Sequence, residues 1–555
     1  MDGCEISGDV EKAEAFGEFF GSIASNLDSK LPQHVGSPLD YIEHRVGPSL
    51  FLKPITFGEC SNIIAKLKNK SCPRDTVPVN MLKLVKDSLL DPICFLINHS
   101  IKSEKFPDIL KTATVVPIFK SGERSDPSNY RPISLLPLIS KIFERFIYNQ
   151  LLSFFTHHSV LTTRQYGFRK GCSPSNAVSN LTNSIYESLE NKLHTISVFV
   201  DFKKAFDTVN VDILLLKLSC YGVRGAALNY FSSYCRNRRQ SVRIGNSTSM
   251  ERIVNIGIGQ GTLLGPLLFL VYINDLVNVS DRFSTVLFAD DTCFTLSHLN
   301  YNILVDQVNG DLEKFRIWTL INRISVNLDK TFYICVSNRM KYVVSDEQIM
   351  FGGLPVKQEG AGKYLGMYVD SKLNFSHHIS YVCSKLSRSI GILHRLRRLV
   401  PQRVSVNLYY CLIYPYLIYC NMIWGGAAGV YLNKLVVLQK RALRIISGVG
   451  FVDHTDPLFL SLKILKLRDI HQFILCQFMF KIMKSDGIET VYHGYKTRQD
   501  SDIRPSFCRL VSSQRCSSFS APKAWNNIPL PIRFVSDIEC FKRKLKAHFI
   551  DSYNQ

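Results

Sequence analysis

The stretch Leu287-Phe288-Ala289-Asp290-Asp291-Thr292 sets the strongest condition on how this chain can fold. It places two adjacent carboxylates between two short, apolar, β-prone runs, Ser284 to Ala289 and Cys293 to Leu296. Side chains alternate along a strand, so a tight turn at Asp290-Asp291 predicts a hairpin with both acids at its tip. Such a tip is a poor place for core and a good one for a hard cation, because Mg²⁺ takes oxygen ligands in near-octahedral geometry. An isolated Asp-Asp pair would read as a solvated turn. Asp201 changes that reading, because it ends the buried-strand pattern Ile196-Ser197-Val198-Phe199-Val200 and is followed by a helical pattern from Lys203 to Leu218. Three acids crowded together raise one another's pKa unless a cation neutralises them. Two metal ions on shared carboxylates are a standard device for in-line phosphoryl transfer, so nucleotidyl transfer is the first expectation.

Three segments occur in the order such chemistry needs: Val200-Asp201-Phe202-Lys203-Lys204-Ala205-Phe206-Asp207, then Gly257-Ile258-Gly259-Gln260-Gly261-Thr262-Leu263-Leu264-Gly265-Pro266, then Phe288-Ala289-Asp290-Asp291. Together they resemble the palm motifs of reverse transcriptases, in the form found in non-LTR (LINE-type) retrotransposon enzymes of the jockey and CR1 kind. The resemblance implies an α+β right-hand polymerase with fingers, an antiparallel palm sheet, and a helical thumb and C-terminal region. It implies extension of a DNA primer on an RNA template, using dNTPs and two Mg²⁺ ions. Asp201, Asp290 and Asp291 are then the implied metal ligands and catalytic acids. Asn322, Asn327, Lys330 and Thr331 resemble the next motif, with Lys330 implied as the general acid for the leaving pyrophosphate; a solvated strand-edge lysine is the alternative.

Upstream, a β-branched strand from Thr114 to Lys120, the block Asn129-Tyr130-Arg131-Pro132-Ile133-Ser134-Leu135 and a helix from Ile139 to Phe155 resemble the fingers. Lys120 and Arg131 are implied to hold the nucleotide triphosphate, a task that suits a point-charge Lys and a fixed Arg fork. Gln165-Tyr166-Gly167-Phe168-Arg169-Lys170-Gly171 resembles the second finger motif, with Gly167 and Arg169 expected at the primer–template and a helix from Asn176 to Leu189 after it. Phe206 is implied as a steric gate against a ribose 2′-OH, with helix core as the alternative, and Gln260 is expected to face nucleotide and template. A Gly245-Asn246 hairpin and an apolar helix from Leu263 to Leu276 complete that part, and Tyr364-Leu365-Gly366 looks like the primer grip. The chain departs from the family at Pro73 and Thr76, where glycines are usual, at Cys172-Ser173-Pro174-Ser175, and at Gly259 and Thr262.

Composition adds a partner. The 555 residues carry a net charge of +21 and a pI of about 9.3, which favours a polyanion. From Ser371 to Val452 there is no Asp or Glu, while apolar stripes at Ile379, Val382, Leu386, Ile390, Leu393 and at Leu432, Leu435, Leu438, Ala442, Ile445 run beside cations that include Lys385, Arg388 and Arg395. Solvated faces mix signs; single-signed helices over an apolar stripe are better read as walls for a phosphate backbone, here primer–template. Sixteen cysteines with no CxxC spacing argue against structural zinc and for reduced thiols of an intracellular protein, nuclear or cytoplasmic. The uncharged run between Arg403 and Lys434 holds Pro415 and Asn421 and is expected to be buried helix, with no membrane span.

The expected organisation is an N-terminal helix and linker (1–49), fingers (50–190), palm (191–370), basic thumb or connection (371–452) and a basic C-terminal region without an assigned role (453–555). In the family an endonuclease usually lies upstream, and the stretch before Lys120 is too short for one, so a fragment or partial element copy is expected. The rival readings are a catalytically inactive nucleic-acid-binding remnant and an interaction protein without nucleic-acid affinity.

Overall fold

The computed structural model describes residues 6–32, 36–68, 77–337, 348–484, 502–505 and 508–554. At its centre is a five-stranded sheet in the order Lys357–Gln358, Phe332–Val336, His194–Val200, Asp291–His298, Ser284–Phe288. The middle strand His194–Val200 is antiparallel to both neighbours and buried along its whole length. Its alternating side chains serve two cores. Ile196, Val198 and Val200 point to one, shared with Phe294 and with the helices Val211–Cys220, Gly265–Tyr272 and Tyr301–Ile321. Phe199 points to the other, with Cys293, Val286, Ile334 and the helices Pro174–Glu190 and Ser376–Leu396. A strand covered on both faces needs a continuous apolar run, which is what the sequence supplies.

A second sheet runs Tyr130–Leu135, Thr112–Phe119, Arg238–Ile244, Ser247–Thr248, with Arg252–Val254 also on the third strand. Thr112–Phe119 pairs antiparallel to Tyr130–Leu135 and parallel to Arg238–Ile244. The strand from Arg238 therefore shares a sheet with residues of the expected fingers, although it lies in the range expected for the palm. The Gly245-Asn246 hairpin forms as expected, with Ile244 opposite Ser247 and Gly245 at a φ of 57°. The N-terminal helix Asp9–Asp28 packs Phe16 and Phe20 beside Tyr130 and Val115. Ion pairs from Glu14 to Arg252 and from Asp28 to Arg323 fasten both ends of that helix to the body.

Local signals fare well where they are self-contained. Thr56 and Glu59 form the expected capping box on the helix Phe57–Lys66. Helices Leu138–His157 and Pro174–Glu190 fall where the apolar spacing puts them. One expectation is corrected: residues 203–210 are turns, and the helix after Asp201 begins only at Val211, where Asn210 caps the N–H groups of Asp212 and Ile213. The turns are held from outside, by Lys203 N donating to Ser325 O and Gly257 N donating to Val209 O. The expected apolar helix is Gly265–Tyr272 followed by a 3₁₀ turn, Asn274–Asn278.

In the basic region, helices Ser376–Leu396 and Gly429–Ser447 bury the stripes read from the sequence and leave Arg388 and Arg395 exposed. The uncharged run breaks into Gln402–Leu412, Tyr414–Ile418 and Asn421–Trp424, and no helix among the described residues is long and apolar enough to cross a membrane. Helices Leu467–Lys484, Ser517–Asn526 and Ile538–Asp551 share a smaller core around Phe480, Trp525 and Phe541. Pro73 and Thr76 lie outside the described residues.

Candidate active site

The acids meet through the register of the central sheet. Val200 lies opposite Thr292, so one further step along the ladder brings Asp201 level with Asp291. Opposed residues in an antiparallel pair have Cα atoms about 4.5–5.5 Å apart. The hairpin itself is shifted by one residue from the expected turn: Phe288 pairs with Asp291, so the tip is Ala289-Asp290 and Asp291 opens the strand. Ala289 takes a φ of 54°, a region where an L residue with a Cβ is strained.

The electrostatics record the crowding. Burial, then the Asp290 and Asp201 carboxylates, push Asp291 up to about 7. Burial also raises Asp290, with Asp201 adding to it and the Lys120 and Arg131 cations opposing it. Lys120 and Arg131, from opposite sides of one strand pair, thus bear on the same acid. Asp201 is held in place by Asn327, whose Nδ2 donates to Oδ2 at 3.0 Å and whose backbone N–H donates to the Asp201 carbonyl at 2.7 Å. Among the described residues no cluster of three or more His, Cys, Asp or Glu closes into a cage for an ion. The three acids offer oxygen ligands alone, the donor chemistry that a hard divalent cation takes.

Gly167 and Gln165 support the hairpin from behind. Tyr166 N donates to Leu287 O at 2.8 Å and Leu287 N to Arg164 O at 3.0 Å, adding a short parallel bridge to the sheet edge. The Gln165 Oε1 accepts from Gly167 N at 2.7 Å and from Ala289 N at 2.9 Å. One amide oxygen thereby locks the strained turn to its support. A Cβ on Gly167 would lie 2.3 Å from Ala289 N and 2.9 Å from Phe288 C, so only glycine fits there. The Arg169 guanidinium donates to the carbonyls of Thr162 and Gln165 in its own loop.

Phe206 lies between two rings, stacked on Phe269 at 4.4 Å and edge-on to the half-exposed Phe168 at 6.2 Å. It packs against the core and is only partly buried. Lys204, which the sequence reading quoted without a role, donates to the carbonyls of Ser128 and Tyr130. Burial lowers its pKa against the pull of Asp207, and the nearby Lys120 and Lys330 charges lower it further. Lys330 is exposed, on a turn closed by its N–H to Asn327 O.

The Tyr364 side chain is a correction. It is 4% exposed, packed on Phe199 at 5.1 Å with its hydroxyl unpartnered, and burial raises its pKa far above the usual range. What this segment offers to the surface is the Leu365-Gly366 turn, both residues at positive φ, with Tyr419 donating to the Leu365 carbonyl. Beside it, the Lys363 and Lys385 ammonium groups sit over the Tyr381 ring at 5.2 and 5.4 Å. Arg388 and Arg395 continue that exposed basic edge.

Comparison with known proteins gives the class. Residues 118–369 match the family described as reverse transcriptase (RNA-dependent DNA polymerase), a span that contains every acid described above, and this segment is a reverse transcriptase domain. More particularly, the chain is homologous to non-LTR retrotransposon reverse transcriptases. It is 28% identical over 492 residues to the RNA-directed DNA polymerase from mobile element jockey of Drosophila melanogaster, covering 85% of this chain and 52% of that relative. It is 30% identical over 459 residues to the probable RNA-directed DNA polymerase from transposon BS of the same organism, covering 80% and 50%. For the probable polymerase from transposon X-element the identity is 26% over 470 residues, covering 83% and 51%. The chain thus spans about half the length of the relatives it matches.

Proposed function

We propose that this chain is an RNA-directed DNA polymerase of a non-LTR retrotransposon, built as a right hand with fingers at 50–190, palm at 191–370 and a basic thumb or connection at 371–452. The observation that carries the reading is the pairing of Val200 with Thr292, which sets Asp201 level with the two acids of the hairpin. The homology of residues 118–369 to reverse transcriptases supports it.

Asp201 and Asp290 would hold two Mg²⁺ ions, with Asp291 completing the carboxylate set. When bound, the metal stabilises charge on the attacking and leaving oxygens. Lys120 and Arg131, the two cations that bear on Asp290, receive the triphosphate of the dNTP. The primer 3′-oxygen attacks the α-phosphorus, the bond to the β-phosphate oxygen breaks, and Lys330 supplies a proton to the departing pyrophosphate. Gln260 faces the nucleotide, and the Leu365-Gly366 turn lies against the primer end. Lys385, Arg388 and Arg395 carry the duplex. A cleft of about 1550 Å³ between the helices Phe57–Lys66 and Leu138–His157 reaches Ser134 and Gly261 and is lined by Lys53, Lys66, Lys141 and Arg145, which suits a single strand of template.

Primer extension on poly(rA) with oligo(dT), Mg²⁺ and dTTP tests the function. Incorporation supports the polymerase reading; salt-sensitive duplex binding without incorporation supports the inactive remnant instead. Sugar choice gives a finer prediction. Phe206→Val opens the space beside Phe168 and Phe269 and is expected to raise incorporation of ribonucleotides relative to deoxyribonucleotides by about tenfold, the scale of a contact worth ~1.4 kcal/mol. Unchanged discrimination in competition assays would make Phe206 a packing residue only.

A further inference from the structure

Gln260 is seated by a carboxylate to which the mechanism above gives no task. Its Nε2 lies 3.0 Å from each carboxylate oxygen of Asp207, and its backbone carbonyl accepts from Ser134 N at 2.7 Å. The surrounding chain is fixed closely. Ile258 N donates to Phe206 O at 2.9 Å, and a Cβ on Gly257 would lie 2.4 Å from Asp207 O. Arg238 donates to the carbonyls of Ile256 and Gly257, and Leu263 N donates to the buried Glu144 carboxylate at 2.9 Å. A primary amide has two donor hydrogens on one side and an acceptor oxygen on the other. With Nε2 turned to Asp207 through one bifurcated N–H, Oε1 is the end of the amide that faces away from the carboxylate.

We propose that Asp207 is a positioning residue that fixes the amide of Gln260 in one orientation, so that Gln260 presents its Oε1 to the incoming nucleotide as a hydrogen-bond acceptor. The ligand group it selects is a donor, either a sugar hydroxyl or a base N–H. This inference rests on the polymerase reading. Asp207 holds the amide most strongly as a carboxylate, because a charged acceptor makes the stronger hydrogen bond. Burial raises its pKa to about 6, against the pull of Gln260, of Lys204 on its own turn and of Arg238 from the neighbouring strand.

The test uses the whole chain bound to an RNA–DNA duplex whose primer ends in a dideoxynucleotide, so that dTTP binds without chemistry and its affinity is read by fluorescence of a labelled template. Asp207→Ala and Gln260→Ala are each expected to weaken dTTP about tenfold, and the double variant no further, because the two act as one unit. Losses that multiply in the double variant, or wild-type affinity in Asp207→Ala, would overturn the proposal. If Asp207→Ala melts early, Asp207→Asn carries the test: it should bind more weakly than wild type at pH 8, and wild-type affinity there overturns the proposal equally. Running dTTP beside its dideoxy analogue tells whether the donor is the 3′-hydroxyl or the base. A wild-type complex that holds the duplex yet takes up no dTTP would sink the polymerase reading and this inference together.

Discussion

Asp290→Asn is expected to lower primer extension by about a thousandfold or more while leaving duplex affinity and fold intact. The substitution keeps the shape of the side chain and removes one of the charges that crowd the hairpin tip. In the absence of metal that loss should relieve strain, because burial and Asp201 both disfavour the ionised Asp290. The melting temperature of the metal-free variant is therefore expected to equal or exceed that of wild type, and added Mg²⁺ should raise it less. A variant with near-normal extension would remove Asp290 from the chemistry. One that loses extension because it unfolds would leave Asp290 a structural residue.

Gly167→Ala should be nearly as damaging, for a steric reason. The added methyl would lie 2.3 Å from the Ala289 nitrogen, and the atoms it meets belong to backbone, so the turn bearing Asp290 must move. Overpacking of this kind costs about 1–3 kcal/mol. A displacement of reacting groups by about 1 Å lowers turnover by about a hundredfold. Single-turnover rates with saturating dTTP, read beside thermal melting, separate the two effects. Normal rates with ordinary melting would show that the turn does not depend on the Gln165 clamp.

The hairpin was legible because its signal is local: two β-prone runs flank a polar turn, and the motif order around it is specific. Its exact turn was not. Local chemistry favours Asp at the turn positions, whereas the chain puts Ala289 there at positive φ and offsets the strain with Gln165, a residue far away in sequence. The same contrast runs through the rest. The strand His194–Val200 was readable because burial on both faces demands an unbroken apolar run. The turns at 203–210 were read as helix because Phe202, Ala205 and Val209 do face a core, which periodicity alone cannot tell from a helix face. Parallel pairing of Arg238–Ile244 with Thr112–Phe119 leaves no local trace, and with it went any sign that the Gly257–Gly261 stretch would be backed by Asp207. The Tyr364-Leu365-Gly366 segment was legible as a motif, but motif matching carries no burial, and the Tyr364 ring lies in the core while Leu365 and Gly366 make the turn.

Anomalous scattering from crystals of the chain with an RNA–DNA duplex, a dideoxy-terminated primer, dTTP and Mn²⁺ addresses the convergence of the acids without relying on turnover. Two manganese peaks should appear beside Asp201 and Asp290, bridged by the triphosphate, and Asp201→Asn should remove at least one. A filled nucleotide site with no metal between those residues, or Asp201 too far from the hairpin tip to share an ion, would contradict the proposed centre.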